Sequence, residues 1–195
     1  MPILHSPSLA PQRWFVAEDA AARVRTLCCR GVSWTHPSHD SLGLAKALLA
    51  AWPAPAPGVP GLSLHSGVAG LAQDLAAQDL AAQVGPWLDS APASIRLVGH
   101  SLGGSLVQAL LAQRGAGWAA RGVELVTFGS PPVLALNAAP PAEDGAGGEH
   151  AMLSMLGLPS ARHYVLGKDP VPGLLLSAKP LLTSLGVGRL GGALG

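Results

Sequence analysis

Hydrophobic positions in this chain follow two periods, one typical of strands and one typical of helices. Short apolar, partly β-branched runs predict strands at Trp14–Ala17, Val24–Cys29, Ile95–Val98, Val123–Phe128 and Arg162–Leu166. Longer stretches with apolar residues three or four apart predict helices over 40–52, 68–89, 102–114 and 150–156. The Pro/Ala-rich stretch 53–60 is predicted to be an exposed loop. Strands that alternate with helices indicate an α/β protein with a mostly parallel sheet.

Length and composition narrow the picture. A chain of 195 residues suits one domain, which we place at 14–195 with 1–13 as an N-terminal extension. Charged residues make up 12% and apolar residues 49%, which fits a largely buried sheet or a lipid-facing surface. The net charge of +1 gives no electrostatic argument for nucleic acid as a partner. We expect no transmembrane helix and no signal peptide.

The two cysteines, Cys28 and Cys29, are adjacent in a predicted strand. Neighbouring strand residues point to opposite faces, so a disulfide between them is not expected. No further cysteine or close histidine pair stands at metal-ligand spacing. The sequence therefore predicts small core residues here, and neither a metal nor a cofactor.

One stretch indicates a chemistry. Gly99-His100-Ser101-Leu102-Gly103 fits G-x-S-x-G, the nucleophile elbow, in which a serine stands on a sharp strand-to-helix turn. A predicted strand precedes it and a predicted helix follows it, as the motif requires. Ser101 is the candidate nucleophile, and the alternative is a glycine-rich turn with an incidental serine.

With this elbow in place, the chain resembles the class 3 (fungal-type) lipase family. The resemblance rests on five motifs: Cys29-Arg30-Gly31-Val32, Leu64-His65-Ser66-Gly67, Gly99-His100-Ser101-Leu102-Gly103-Gly104, Val126-Thr127-Phe128-Gly129-Ser130-Pro131 and Asp169-Pro170-Val171-Pro172. Within the family the chain is most similar to plant and algal plastid lipases of the phospholipase A1 type, through Trp14–Asp19 and Leu156–Pro159.

The resemblance implies an α/β-hydrolase fold with helices on both faces of the sheet. It also implies hydrolysis of acyl-lipid esters, a peripheral membrane surface as a partner, and a plastid location, the alternative being another intracellular one. Nothing in the sequence indicates an oligomeric state.

The resemblance further implies a catalytic triad, with Ser101 as nucleophile, Asp169 as acid and a histidine last. A serine hydroxyl needs a histidine to take its proton, and the acid orients that histidine. The oxyanion hole would use the backbone N–H groups of Leu102 and Val32. Val32 stands where the family usually has Ser or Thr, so a side-chain hydroxyl is missing there.

No histidine follows Asp169 in the sequence. We therefore expect a fragment or truncated sequence that lacks its last strand and the catalytic histidine. A substitute pair, Asp144 with His150 or His163, would keep the triad order. The second hypothesis is a non-catalytic, lipid-binding or regulatory module of the same fold.

Overall fold

The structure is a computed structural model that describes residues 3–5, 14–31, 52–75, 84–90, 94–114, 116–137, 147–167 and 169. Within this part of the chain, no helix is both long and apolar enough to cross a membrane.

The central element is a six-stranded sheet. Its strands are β1 (Ile3–His5), β2 (Trp14–Asp19), β3 (Val24–Cys29), β6 (Ser94–His100), β7 (Val123–Phe128) and β9 (Ala161–Tyr164). They lie side by side in the order β1-β2-β3-β6-β7-β9. The first three strands pair antiparallel, whereas β3, β6, β7 and β9 run parallel. A smaller antiparallel sheet joins β4 (Pro53–Pro55), β5 (Leu62–His65) and β8 (Leu134–Leu136).

The register of the large sheet explains where the core lies. Leu27, Leu97 and Leu125 are paired across β3, β6 and β7, and each is at most 2% exposed. Side chains alternate between the two faces of a sheet along each strand. These three leucines, and the residues two positions before and after each of them, therefore lie on one face of the sheet. The five strands predicted from the sequence are confirmed, with shifts of one or two residues at five of their ends. Strand β1 adds an edge strand within the predicted N-terminal extension.

Five helices are described: α1 (Ser66–Leu75), α2 (Gly85–Asp89), α3 (Leu102–Arg114), α4 (Ala116–Ala119) and α5 (Gly147–Leu156). Helix α3 packs on β3, β6 and β7, and α1 packs on α3. Ten consecutive residues of α3, 103–112, are buried, because the sheet and a second helix enclose it. The predicted helix over 68–89 corresponds to α1 and α2, with residues 76–83 outside the described ranges.

The prediction of an exposed loop over 53–60 is wrong in two respects. Pro53–Pro55 forms strand β4, and Ala56 and Val59 are 6% and 4% exposed. Proline is tolerated at the edge of a sheet, where an N–H donor is not required, so a Pro/Ala pattern does not exclude an edge strand. The predicted helix over 40–52 lies outside the described residues, apart from Trp52.

Candidate active site

Ser101 stands on the turn between β6 and α3. Its φ of 52° lies in the left-handed region, which costs a non-glycine residue about 1–3 kcal/mol and is frequent at functional sites. Backbone hydrogen bonds hold the turn: the N–H of Ser101 donates to the carbonyl of Phe128 at 2.8 Å, and the N–H of Gly104 donates to the carbonyl of Ser101 at 2.9 Å. The strand, strained serine and helix have the geometry of a nucleophile elbow.

The glycines of the elbow are required by close packing. A Cβ atom on Gly99 would lie 2.5 Å from the amide nitrogen of Gly104. A Cβ atom on Gly103 would lie 2.5 Å from the carbonyl oxygen of Arg30, which follows β3. The absence of side chains at both positions lets α3 begin directly against the ends of β3 and β6.

Asp169 lies at the same edge of the sheet. It follows β9, whereas Ser101 follows β6, and β7 lies between these two parallel strands. Carboxyl ends of parallel strands share one edge of a sheet, the usual place for catalytic groups in α/β proteins. The Asp169 carboxylate contacts Gly129, the residue after β7, so closely that a Cβ atom on Gly129 would lie 2.6 Å from Oδ2.

The backbone after β3 also reaches the serine. A Cβ atom on Gly31 would lie 2.6 Å from the Cβ of Ser101 and 3.1 Å from its Oγ. Val32, predicted to supply one oxyanion donor, is the next residue and lies outside the described part of the chain. Leu102, predicted to supply the other, is the first residue of α3, where a backbone N–H has no acceptor within its own helix. Both assignments stay predictions.

Buried polar side chains tie α3 to the segment after β7. Ser105 Oγ donates to the carbonyl of Pro131 at 3.0 Å, and Gln108 Nε2 donates to Ser130 Oγ at 3.0 Å. Ser105 and Gln108 are 0% and 5% exposed. These hydrogen bonds hold α3 against Ser130 and Pro131, the two residues that follow Gly129. Because Gly129 contacts Asp169, they also connect the helix after Ser101 to the backbone beside the carboxylate. The sequence analysis missed these hydrogen bonds, although two polar residues three apart in the otherwise apolar stretch 102–112 were the available signal.

Three histidines have described side chains. The Nδ1 atom of His65 accepts a hydrogen bond from the N–H of Val68 at 3.4 Å. His163 Nδ1 lies 2.6 Å from the hydroxyl of Thr127, its partner on β7. His100 ends β6 and is exposed. None of these contacts assigns the base of a triad.

The cysteines do not provide a competing nucleophile. Cys29 is 3% exposed at the end of β3, and burial, with a smaller contribution from Cys28, raises its pKa to about 12. Burial likewise raises the pKa of Cys28 to about 11. Both are therefore neutral thiols near neutral pH, and a thiol is a weaker nucleophile than a thiolate. Among the residues that the structure describes, no group of three or more His, Cys, Asp or Glu could hold a metal ion.

Fold and elbow together define an α/β-hydrolase. The family model for class 3 lipases, "Lipase (class 3)", matches residues 33–176. The chain belongs to the class 3 lipase family. The match supports the family assignment made from the sequence motifs, but it does not extend to the plastid-type subfamily. Comparison with curated proteins found no match.

Solved structures of lipases share the fold. A triacylglyceride lipase of Rhizomucor miehei is 26% identical with a TM-score of 0.56, and the alignment covers 83% of this chain and 55% of the lipase. A lipase of Rhizopus microsporus var. chinensis is 20% identical with a TM-score of 0.57, and the alignment covers 88% of this chain and 54% of that lipase. A triacylglycerol lipase described as having a serine protease triad as its catalytic centre is 23% identical with a TM-score of 0.57, covering 85% and 57%. The chain thus spans little more than half the length of these lipases.

Proposed function

We propose that this protein is a serine carboxylic ester hydrolase that acts on acyl lipids. The observation that carries the proposal is the position of Ser101 in a strained elbow after β6, at the sheet edge where the Asp169 carboxylate contacts Gly129. Family membership supports the same chemistry.

The reaction would proceed through an acyl-enzyme. Ser101 Oγ attacks the ester carbonyl carbon while a histidine takes its proton, and the backbone N–H groups of Leu102 and Val32 donate to the oxyanion. The ester C–O bond then breaks, the proton passes to the leaving alcohol, and water releases the fatty acid in the same way. Asp169 acts by orienting the histidine and stabilising its charged form.

Exposed apolar side chains close to Asp169 support a lipid surface as a partner. Phe128 and Tyr164 stack at a centroid distance of 5.0 Å at the ends of β7 and β9, and both are over 40% exposed. Val165 and Leu166 continue this patch, with Leu166 81% exposed. Apolar groups beside a site for ester cleavage favour contact with aggregated lipid over contact with dissolved ester.

The substrate proposal extends to phospholipase A1-type cleavage in a plastid. It is supported by the similarity of Trp14–Asp19 and Leu156–Pro159 to plastid lipases. Parallel assays on a diacyl phospholipid, labelled separately at each acyl position, and on a triacylglycerol test it. Preferential release of the sn-1 acyl chain is expected, and cleavage of the triacylglycerol alone would contradict the phospholipase assignment.

The hydrolase proposal is tested with a fluorophosphonate probe that labels activated serines. Because no histidine follows Asp169 in this sequence, the wild type used in these tests is the chain extended by its downstream reading frame. We expect labelling of this wild type, loss of labelling in Ser101→Ala, and normal labelling in Ser154→Ala, which removes an exposed hydroxyl on α5. Labelling that survives Ser101→Ala would contradict the assignment of the nucleophile. A folded wild-type chain that does not react would instead support the non-catalytic module.

A further inference from the structure

A cavity of about 500 Å³ lies between α3, α5 and the strands β7 and β9. Neither Ser101 nor Asp169 lines it. Its volume falls within the range of about 300–1,000 Å³ that is typical of small-molecule sites. The cavity is therefore large enough for a ligand and distinct from the site of ester cleavage.

The lining of this cavity is apolar except at two positions. Seven of its nine residues are apolar, among them Leu125 on β7 and Met152 and Leu156 on α5. The two polar residues are Gln108 and His163. Apolar side chains offer no hydrogen bonds to a sugar or a nucleotide, whereas they suit a hydrocarbon chain.

The polar residues are held in fixed positions. The Gln108 side chain donates to Ser130, and the His163 ring contacts the Thr127 hydroxyl at 2.6 Å. His163 is exposed, while the other eight lining residues are buried or half-buried. Solvent thus reaches the cavity at His163, with the apolar part behind it.

We propose that this cavity binds one hydrocarbon chain with a hydrogen-bonding head group, the chemistry of a free fatty acid. The chain lies against α5, where each methylene removed from water stabilises the complex. The head group lies at His163, where it keeps contact with both the imidazole and water. This site goes beyond the proposed ester hydrolysis and does not depend on it.

The test is a titration of the Ser101→Ala chain with cis-parinaric acid, a fluorescent fatty acid, below its micelle concentration. We expect saturable binding at one site per chain. Met152→Trp fills the cavity from α5 and should weaken binding at least tenfold. The control is Met155→Trp, the same change at a residue of α5 that is 45% exposed and does not line the cavity, which should leave affinity within twofold. Equal loss in both variants, or in neither, would overturn the proposal.

Two further measurements decide the outcome if Met152→Trp does not fold. First, wild-type chain labelled at Ser101 by the fluorophosphonate should bind the probe as well as unlabelled chain does, and loss of binding would place the fatty acid in the ester site. Second, decanoic acid and decane are used as competitors of cis-parinaric acid. The substitution His163→Phe should weaken competition by decanoic acid severalfold and should leave competition by decane unchanged. Equal effects on both competitors would contradict the placement of the head group. The titrations of Ser101→Ala and the competition with His163→Phe involve no reaction of Ser101, so their failure leaves the hydrolase proposal intact, and failure of the hydrolase proposal leaves them valid.

Discussion

The carboxylate of Asp169 lies directly against Gly129, at the point where a Cβ atom on that glycine would be 2.6 Å from Oδ2. Gly129 has a φ of 54° and donates its N–H to the carbonyl of Tyr164 at 2.8 Å. The backbone carbonyl of the preceding residue, Phe128, accepts a hydrogen bond from the N–H of Ser101. Two consecutive residues at the end of β7 thus contact the two proposed catalytic residues: Gly129 contacts the acid, and Phe128 contacts the nucleophile.

Gly129→Ala should displace Asp169 and slow the reaction of Ser101. A misplacement of about 1 Å in a catalytic group can cost about 10²-fold in rate, so we expect the fluorophosphonate labelling rate to fall roughly 10- to 100-fold. The alanine also adds strain of about 1–2 kcal/mol because φ is positive.

Gly122→Ala is the matched control for this variant. Gly122 has a φ of 68°, and a Cβ atom there would meet nothing within 4 Å. It should lose similar stability in urea unfolding while labelling at the wild-type rate. Equal loss of labelling in the two variants would show that the effect is strain alone and would remove Gly129 from the site.

The core strands and the elbow could be predicted from the sequence because their signals are local. Val123–Phe128 is an apolar and β-branched run interrupted only by Glu124, and its predicted bounds agree with β7. Strand β8 was missed, since Leu134–Leu136 is three residues long and pairs with β5, which is far away in sequence. Strand β4 was missed because its prolines are tolerated only through its edge position.

The contacts within the candidate site were less predictable. The motif supplied Ser101, and the resemblance supplied Asp169, but neither indicates that Gly31 and Gly129 are the backbone positions that contact them. The hydrogen bond from Gln108 to Ser130 likewise joins residues 22 positions apart, which no local pattern reveals.

The glycine at 103 should contribute strongly to the stability of the fold. A Cβ atom there would overlap the carbonyl oxygens of Cys29 and Arg30, and backbone atoms cannot move aside as a flexible side chain can. Gly103→Ala should therefore destabilise the protein by about 1–3 kcal/mol or more, measured by urea unfolding. Gly70→Ala, on α1 with open space around it, should instead stabilise by up to about 1 kcal/mol. A neutral Gly103→Ala would contradict the close approach of α3 to β3.

His163 should not be the catalytic base. It pairs with Thr127 on β7, which in turn pairs with Gly99, two residues before Ser101. The backbone at His163 on β9 therefore lies two strand spacings, about 10 Å, from the backbone at Gly99 on β6. The fluorophosphonate should label Ser101 in the His163→Gln variant at a rate within about twofold of the wild-type rate. Loss of labelling in a variant with an unchanged thermal midpoint would make His163 the base and revive its pairing with Asp144.

The patch beside Asp169 should control binding to lipid vesicles. Leu166 is 81% exposed, and burying a leucine side chain contributes about 1.5–3 kcal/mol. Leu166→Asp should therefore weaken co-sedimentation with phosphatidylcholine vesicles about tenfold or more. Met155→Asp, an equal change at an exposed methionine on α5, should have little effect. Equal weakening by both would indicate adsorption through general hydrophobicity and contradict this docking surface.

Cys29 should make stability fall at alkaline pH. Burial raises the pKa of its thiol from 9.0 to about 12, so between these values the unfolded chain loses a proton that the folded chain keeps. Deprotonation then favours the unfolded state: this contribution to stability is complete below pH 9 and declines as the pH rises toward 12, by up to about 1.4 kcal/mol per pH unit.

Urea unfolding of wild type and Cys29→Ala at several pH values between 7 and 10.5 measures this decline in stability. The difference between their free energies of unfolding should be constant up to about pH 8.5 and shrink above it. Val107→Ala, which trims another buried side chain without removing a titrating group, should differ from wild type by the same amount at every pH. A Cys29→Ala difference that stays constant to pH 10.5 would mean that the thiolate is tolerated at the end of β3, and Cys29 would then have to be reconsidered as a reactive group next to the elbow.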